Sequence, residues 1–149
     1  MKLSIICYLS DDKKLNQTTV EALEKMASYS LEHDNQVTVA GKHVDKKYNN
    51  GKKDSVTASY EVEIILNTDR VRDDRSWYEN VITRIGNHAF TSKVNKETYV
   101  SEQDAHQKMA EKASGDYIMI IHAGDDISSN LAEVFVKGNV QCYDMDTYM

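Results

Sequence analysis

In this chain of 149 residues His122-Ala123-Gly124-Asp125-Asp126 packs an imidazole, two small residues and two carboxylates into five positions. An imidazole and two carboxylates so close together can hold a cation, steer a proton or cap a helix. Two other short stretches have a related character, Ser10-Asp11 and Asn67-Thr68-Asp69. Each of the three follows a run of apolar residues rich in β-branched side chains: residues 3–9, 60–66 and 117–121. A short apolar run closed by turn-forming residues predicts a strand. The unbroken run 117–121 predicts one buried on both faces, as in the middle of a parallel sheet. Ligands of open α/β sheets bind just beyond the carboxyl ends of the strands. All three polar clusters therefore fall where such a fold places chemistry.

The elements that must position them follow from periodicity. Leu15, Thr19, Leu23, Met26, Ala27 and Leu31 recur at helical spacing and predict an amphipathic helix that ends near residues 32–35. Ser10-Asp11-Asp12 breaks the first strand and can cap this helix. Residues 37–40 predict a short strand. The lysine-rich stretch 41–55, with Asn49-Asn50-Gly51 inside it, predicts a hairpin tip or mobile loop. Its lysines could greet phosphates or simply be solvated. A short helix is expected over 76–85, with Trp77, Val81, Ile82 and Ile85 inward and Gly86 ending it. Residues 89–91 read as a brief strand. Ser101-Glu102-Gln103-Asp104 has capping-box spacing and opens a helix that runs to Lys112, with Ala105, Met109, Ala110 and Ala113 on one side. A last helix is expected over 128–137, stopped by Gly138, and then a final short strand over 140–143.

Strands alternating with amphipathic helices predict an α/β fold: a three-layer sandwich around a mostly parallel sheet. Right-handed crossovers would bring the carboxyl ends of three strands to one rim. Residues near 10, 69 and 125 are therefore expected to converge. Acidic and hydroxylic groups meeting there would suit a sugar nucleotide and a hard cation, since carboxylates are natural ligands of Mg2+ or Mn2+ and the cation neutralises a diphosphate.

Composition narrows the alternatives. The formal net charge is -6, with 24 acidic against 18 basic residues. That argues against nucleic acid as a partner and against a polybasic membrane anchor. No apolar stretch reaches the length of a membrane span, and the amino terminus turns polar too soon for a signal peptide. Cys7 and Cys142 lie far apart in apolar settings and read as free buried thiols, which points to a cytoplasmic protein. The five histidines, 33, 43, 88, 106 and 122, show no zinc-ligand spacing. There is no phosphate-loop lysine motif, no glycine-rich dinucleotide fingerprint and no nucleophile elbow.

The residues around the third strand carry a family resemblance. Ala105-His106-Gln107-Lys108-Met109, then Ala113, then Gly115-Asp116-Tyr117-Ile118, is similar to a segment of family-2 glycosyltransferases with the GT-A fold. That segment often reads Ala-Arg-Asn-x-Gly, then alanine, then Gly-Asp-Tyr-Ile. Ile121-His122-Ala123-Gly124-Asp125 resembles the family's Leu-Asn-Ala-Gly-Asp, with histidine at the Asn/Asp position. Lys2-Leu3-Ser4-Ile5-Ile6 resembles the family's first strand, and Glu63-Ile64-Ile65-Leu66 the strand before its uridine-contacting aspartates. The resemblance implies a single GT-A-like nucleotide-sugar-binding domain over residues 1–149, lacking most of the acceptor half. It implies transfer of a sugar from a nucleotide-diphosphate donor to an acceptor hydroxyl. Ser10, Asp11, Thr68, Asp69 and His106 would bind the nucleotide, and Asp125 and His122 a Mn2+ or Mg2+ ion. The catalytic base is unassigned, with Asp144 and Asp146 the only late acids available for it.

Plainer roles stand beside these. Asp125 and Asp126 could cap the final helix, His122 could be a hydrogen-bonded strand end, and Asp69 could start a turn. The alternative function is a GT-A-like accessory module without catalysis. Its uncovered sheet edge would invite pairing with a second copy, so a homo-oligomer is expected.

Overall fold

The computed structural model describes residues 1–40, 55–86 and 90–148. In chain order the elements are β1 (Lys2–Tyr8), α1 (Lys13–Glu32), β2 (Gln36–Ala40), β3 (Ser55–Ser59), β4 (Glu61–Asn67), α2 (Arg75–Ile85), β5 (Phe90–Asn95), α3 (Glu102–Lys112), β6 (Tyr117–His122) and α4 (Leu131–Tyr148). Four strands form one sheet in the order β5-β4-β1-β6, and every pairing in it is parallel. β2 and β3 make a separate antiparallel pair. The hairpin tip expected within 41–54 lies outside the described residues.

Side chains alternate across the strands, and the alternation sorts the core into two layers. Leu3, Ile5 and Cys7 of β1 and Val62, Ile64 and Leu66 of β4 point to one face. There they meet Val20, Leu23 and Met26 of α1, Tyr78, Val81, Ile82 and Ile85 of α2, and Ala132 and Val136 of α4. Ile6, Tyr8 and Ile65 point to the other face, where Tyr99 and Ala105 and Met109 of α3 cover them. Helices therefore flank the parallel sheet on both sides, as the alternation of elements predicts. No helix among the described residues is long and apolar enough to cross a membrane.

Several local expectations hold. Asp12 is the N-cap of α1, its carboxylate accepting from the Lys14 and Leu15 amides. Ser101 caps α3 by accepting from the Asp104 amide at 3.0 Å. Others need correction. The stripe on α1 holds at Thr19, Leu23, Met26 and Ala27, which are buried, but not at its ends: Leu15 and Leu31 are exposed, while Asn16 and Val20 are buried. In α2 the fully buried aromatic is Tyr78, with Trp77 only partly covered and set edge-on against it. Gly86 ends α2 in extended backbone rather than a left-handed turn.

β6 departs most from expectation. Among the described residues it is an edge strand, paired only with β1, and not the doubly buried centre of the sheet. Its Ile121 is buried, but Tyr117, Ile118 and Ile120 are 43, 45 and 44% exposed. The cause is that α3 packs over β1 and β4, leaving the outer part of its face uncovered at β6. The strand expected over 140–143 is instead the continuation of α4, which runs through Gly138. A β-carbon at that glycine would meet nothing within 4 Å. An open glycine costs a helix about 1 kcal/mol relative to alanine, too little to end it.

Candidate functional site

The winding of the chain creates a switch point. From β1 it moves outward to β4 and β5, then returns past β1 to lay β6 on the opposite side. At such a reversal the loops leaving adjacent strands diverge, and a crevice opens beyond their carboxyl ends. Tyr8 is the register partner of both Asn67 and His122, so the ends of β4, β1 and β6 lie side by side. The segments around residues 10, 69 and 125 therefore share one rim.

On the β4 side the rim is built around Asp69. Its Oδ2 accepts from the Tyr8 hydroxyl at 3.0 Å and from the Tyr99 amide at 3.1 Å. The Asp69 amide donates to Asn67 Oδ1, and Asn67 Nδ2 donates to the Glu97 carbonyl, which fixes the turn. Tyr8 and Tyr99 meet edge to face, and the Arg70 guanidinium carbon lies 4.7 Å from the Tyr8 ring centroid. Burial and the hydrogen bond to Asp69 hold the Tyr8 phenol above its ordinary pKa, so it remains a donor.

On the β6 side the loop is tied to α1. Gly124 has φ +98° and donates its amide to Leu15 O at 3.0 Å and to Thr19 Oγ1 at 2.9 Å. Left-handed backbone and the closeness of Leu15 both favour glycine here. Asp125 closes the turn: its amide donates to His122 O, and its Oδ2 accepts from the His122 amide at 2.8 Å. The same oxygen lies 3.9 Å from His122 Nδ1.

Facing this turn is the first turn of α3. Glu102 Oε1 lies 3.7 Å from His106 Nε2 and 3.8 Å from His122 Nε2. The two imidazoles stand edge to face with centroids 5.5 Å apart. His106 Nε2 is buried and has no hydrogen-bond partner among the described residues. Burial lowers the His106 pKa, with Glu102 opposing it in part, which favours the neutral ring.

Of the residues singled out from sequence, Asp69, His106, His122 and Asp125 come together at this rim. Asp11 is exposed beside it. Ser10 is bound within its own loop, its amide and hydroxyl both donating to Asn16 Oδ1. Thr68 is 1% exposed, so its side chain is not presented to a ligand. Asp144 and Asp146 fall in the backbone of α4, and their side chains, like that of Cys142, lie outside the described residues. Cys7 is buried as expected, and burial pushes its thiol up to about 12.

Sequence reasoning missed Tyr8, Arg70, Tyr99 and Glu102. For Glu102 a signal existed: it precedes His106 by four positions on a predicted helix, so the two share a face. The donors also bear on the expected Mg2+ or Mn2+. A hard cation prefers an all-oxygen shell. Here the donors nearest one another are two ring nitrogens and one carboxylate oxygen, and Asp125 is engaged in its own turn. Two ring nitrogens in this set are not ligands that magnesium selects.

Open depressions also lie away from this rim. One of about 550 Å³ is lined by Met1, Lys2, Asn35, Tyr60 and Asp116 at the amino-terminal edge of the sheet. No protein-family model matches the sequence, and neither a curated protein nor a solved structure matches it.

Proposed function

We propose that this domain binds the nucleoside diphosphate portion of a sugar nucleotide at the rim between β4, β1 and β6, in the manner of the donor side of a GT-A glycosyltransferase. What supports the reading is the convergence of three strand ends at the switch point of a parallel sheet, where open α/β folds bind ligands. Asp69, oriented by Tyr8 and Tyr99, receives the nucleoside, and Arg70 faces the diphosphate. Sugar transfer to an acceptor hydroxyl would need a carboxylate base to take the hydroxyl proton, and that residue is unassigned.

The second reading is a binding module of the same fold without catalysis. Two observations favour it: Oδ2 of the Asp125 carboxylate accepts from the His122 amide, and among the described residues β6 has an unpaired outer edge with exposed Ile118 and Ile120. A second copy pairing along that edge would cover it.

Thermal shift with UDP, GDP and their sugars, with and without manganese, tests the binding claim. At a ligand concentration a hundredfold above Kd the stabilisation is about 2.7 kcal/mol. For a chain of this size that is a rise of roughly 5–11 °C. The rise should be lost in Asp69→Ala and reduced in Arg70→Ala. No rise with any nucleoside diphosphate, or an unchanged rise in Asp69→Ala, would overturn the reading. Transfer or hydrolysis assays then separate the enzyme from the module.

A further inference from the structure

We propose that Glu102, His106 and His122 form a three-ligand site for a borderline divalent cation of the zinc class, with its remaining coordination position open to solvent. The proposal does not rest on the nucleotide reading. It rests on how three donors from two elements are held.

Glu102 and His106 stand one turn apart on α3, so their side chains rise from the same face. His122 ends β6 and meets them across the rim. One donor atom from each residue lies within 4.8 Å of the others, and two of the separations are 3.7 and 3.8 Å. In a tetrahedral zinc site with ligands at 2.0–2.1 Å, neighbouring donors are about 3.3 Å apart. Small side-chain rotations would close that difference. The buried His106 Nε2, which has no hydrogen-bond partner among the described residues, would gain a partner for its lone pair in the ion. A buried polar nitrogen left unmatched is destabilising, and coordination removes the mismatch.

Ligand chemistry selects the ion. Two imidazoles and one carboxylate suit zinc and its neighbours, whereas magnesium and calcium take oxygen. Three protein ligands leave a position for water or an anionic oxygen, the pattern of reactive rather than structural zinc sites. The open side is real: the His122 side chain is 59% exposed and that of Glu102 is 49%. Asp125 has a different part from the one expected of it. It anchors the His122 backbone and faces Nδ1, the ring nitrogen turned away from Glu102. A carboxylate behind a ligating histidine fixes its tautomer and orientation.

The test uses the full chain stripped with a chelator and no nucleotide. Zinc is titrated calorimetrically, and Co2+ is followed by its ligand-field absorption. One ion per chain is expected, with the visible band of four-coordinate cobalt and no competition from excess magnesium. Glu102→Gln, His106→Gln and His122→Asn should each weaken zinc binding at least tenfold, while His33→Asn at the end of α1 should leave it unchanged. Circular dichroism checks that each variant is folded. Should His106→Gln unfold the protein, the two variants at exposed positions carry the test. Zinc binding no tighter in the wild type than in the Glu102→Gln/His122→Asn double variant would overturn the proposal, as would displacement of zinc by magnesium.

Discussion

Gly115 precedes β6, and the structure gives a steric reason for glycine there. A β-carbon at this position would stand 2.5 Å from Ser4 Oγ, 2.7 Å from Ser4 N and 2.9 Å from Tyr117 O. All three are shorter than real β-carbons tolerate, and two involve backbone atoms that cannot swing away. The Gly115 amide also donates to Ser4 Oγ at 2.8 Å, and Ser4 in turn donates to Glu63 at 2.9 Å. In Gly115→Ala, overpacking against rigid atoms costs up to about 3 kcal/mol, and the displaced hydrogen bond adds about 1 kcal/mol. The total is about 2–4 kcal/mol; at roughly 2–4 °C per kcal/mol for a chain of this length, Tm should fall by roughly 4–16 °C. Differential scanning calorimetry of the variant and wild type reads this directly. The companion variant Ser4→Gly/Gly115→Ala separates the causes. Removing the Ser4 hydroxyl relieves only one of the three contacts, so the double variant should be no more stable than Gly115→Ala. A fall of less than about 2 °C would refute the steric argument, and full recovery in the double variant would refute the part given to the backbone atoms Ser4 N and Tyr117 O.

Two further outcomes follow from the same coordinates. Burial raises the Glu63 pKa, but hydrogen bonds from the Ser114 amide, Ser4 and Ser114, with Lys93 nearby, outweigh it and hold the carboxyl below the ordinary glutamate range. A depressed carboxylate stabilises the fold above the unfolded pKa and loses that contribution as pH falls through the folded pKa. Glu63→Gln should therefore lower urea stability by about 1.5–3 kcal/mol at neutral pH, the difference from wild type shrinking on acidification; a pH-independent difference would contradict it. The uncovered edge of β6 predicts self-association in sedimentation velocity, weakened when Ile118 and Ile120 are replaced by lysine; a monomer at the highest soluble concentration would exclude pairing along that edge.

The architecture was largely legible in the sequence because it rests on local signals. Alternating apolar runs and helical spacings gave the order of elements, and Asp12 and Ser101 gave two helix starts. What was not legible depends on what packs where. Residues 117–121 look apolar enough for a central strand, yet only their neighbours decide that β6 lies at an edge. β3, over Ser55–Ser59, has no strong pattern of its own and exists through its pairing with β2. At the start of α1 Asn16 is buried in place of the expected Leu15, because Asn16 satisfies the Ser10 loop and the Tyr78 hydroxyl. The rim itself was foreseeable from parallel topology. Its partners were not: Tyr99 reaches it from the segment before α3 and Glu102 from the first turn of α3, both remote in sequence from residue 8.

The central claim is that the carboxyl edge of this sheet is where a ligand binds. Titrating UDP and GDP into the 15N-labelled protein and mapping amide shifts tests it most directly. The account predicts that the perturbed amides gather at residues 8–12, 67–70, 99–106 and 122–126. Perturbations gathered instead around Met1, Lys2, Asn35, Tyr60 and Asp116, at the opposite edge, or none with either nucleotide, would contradict it.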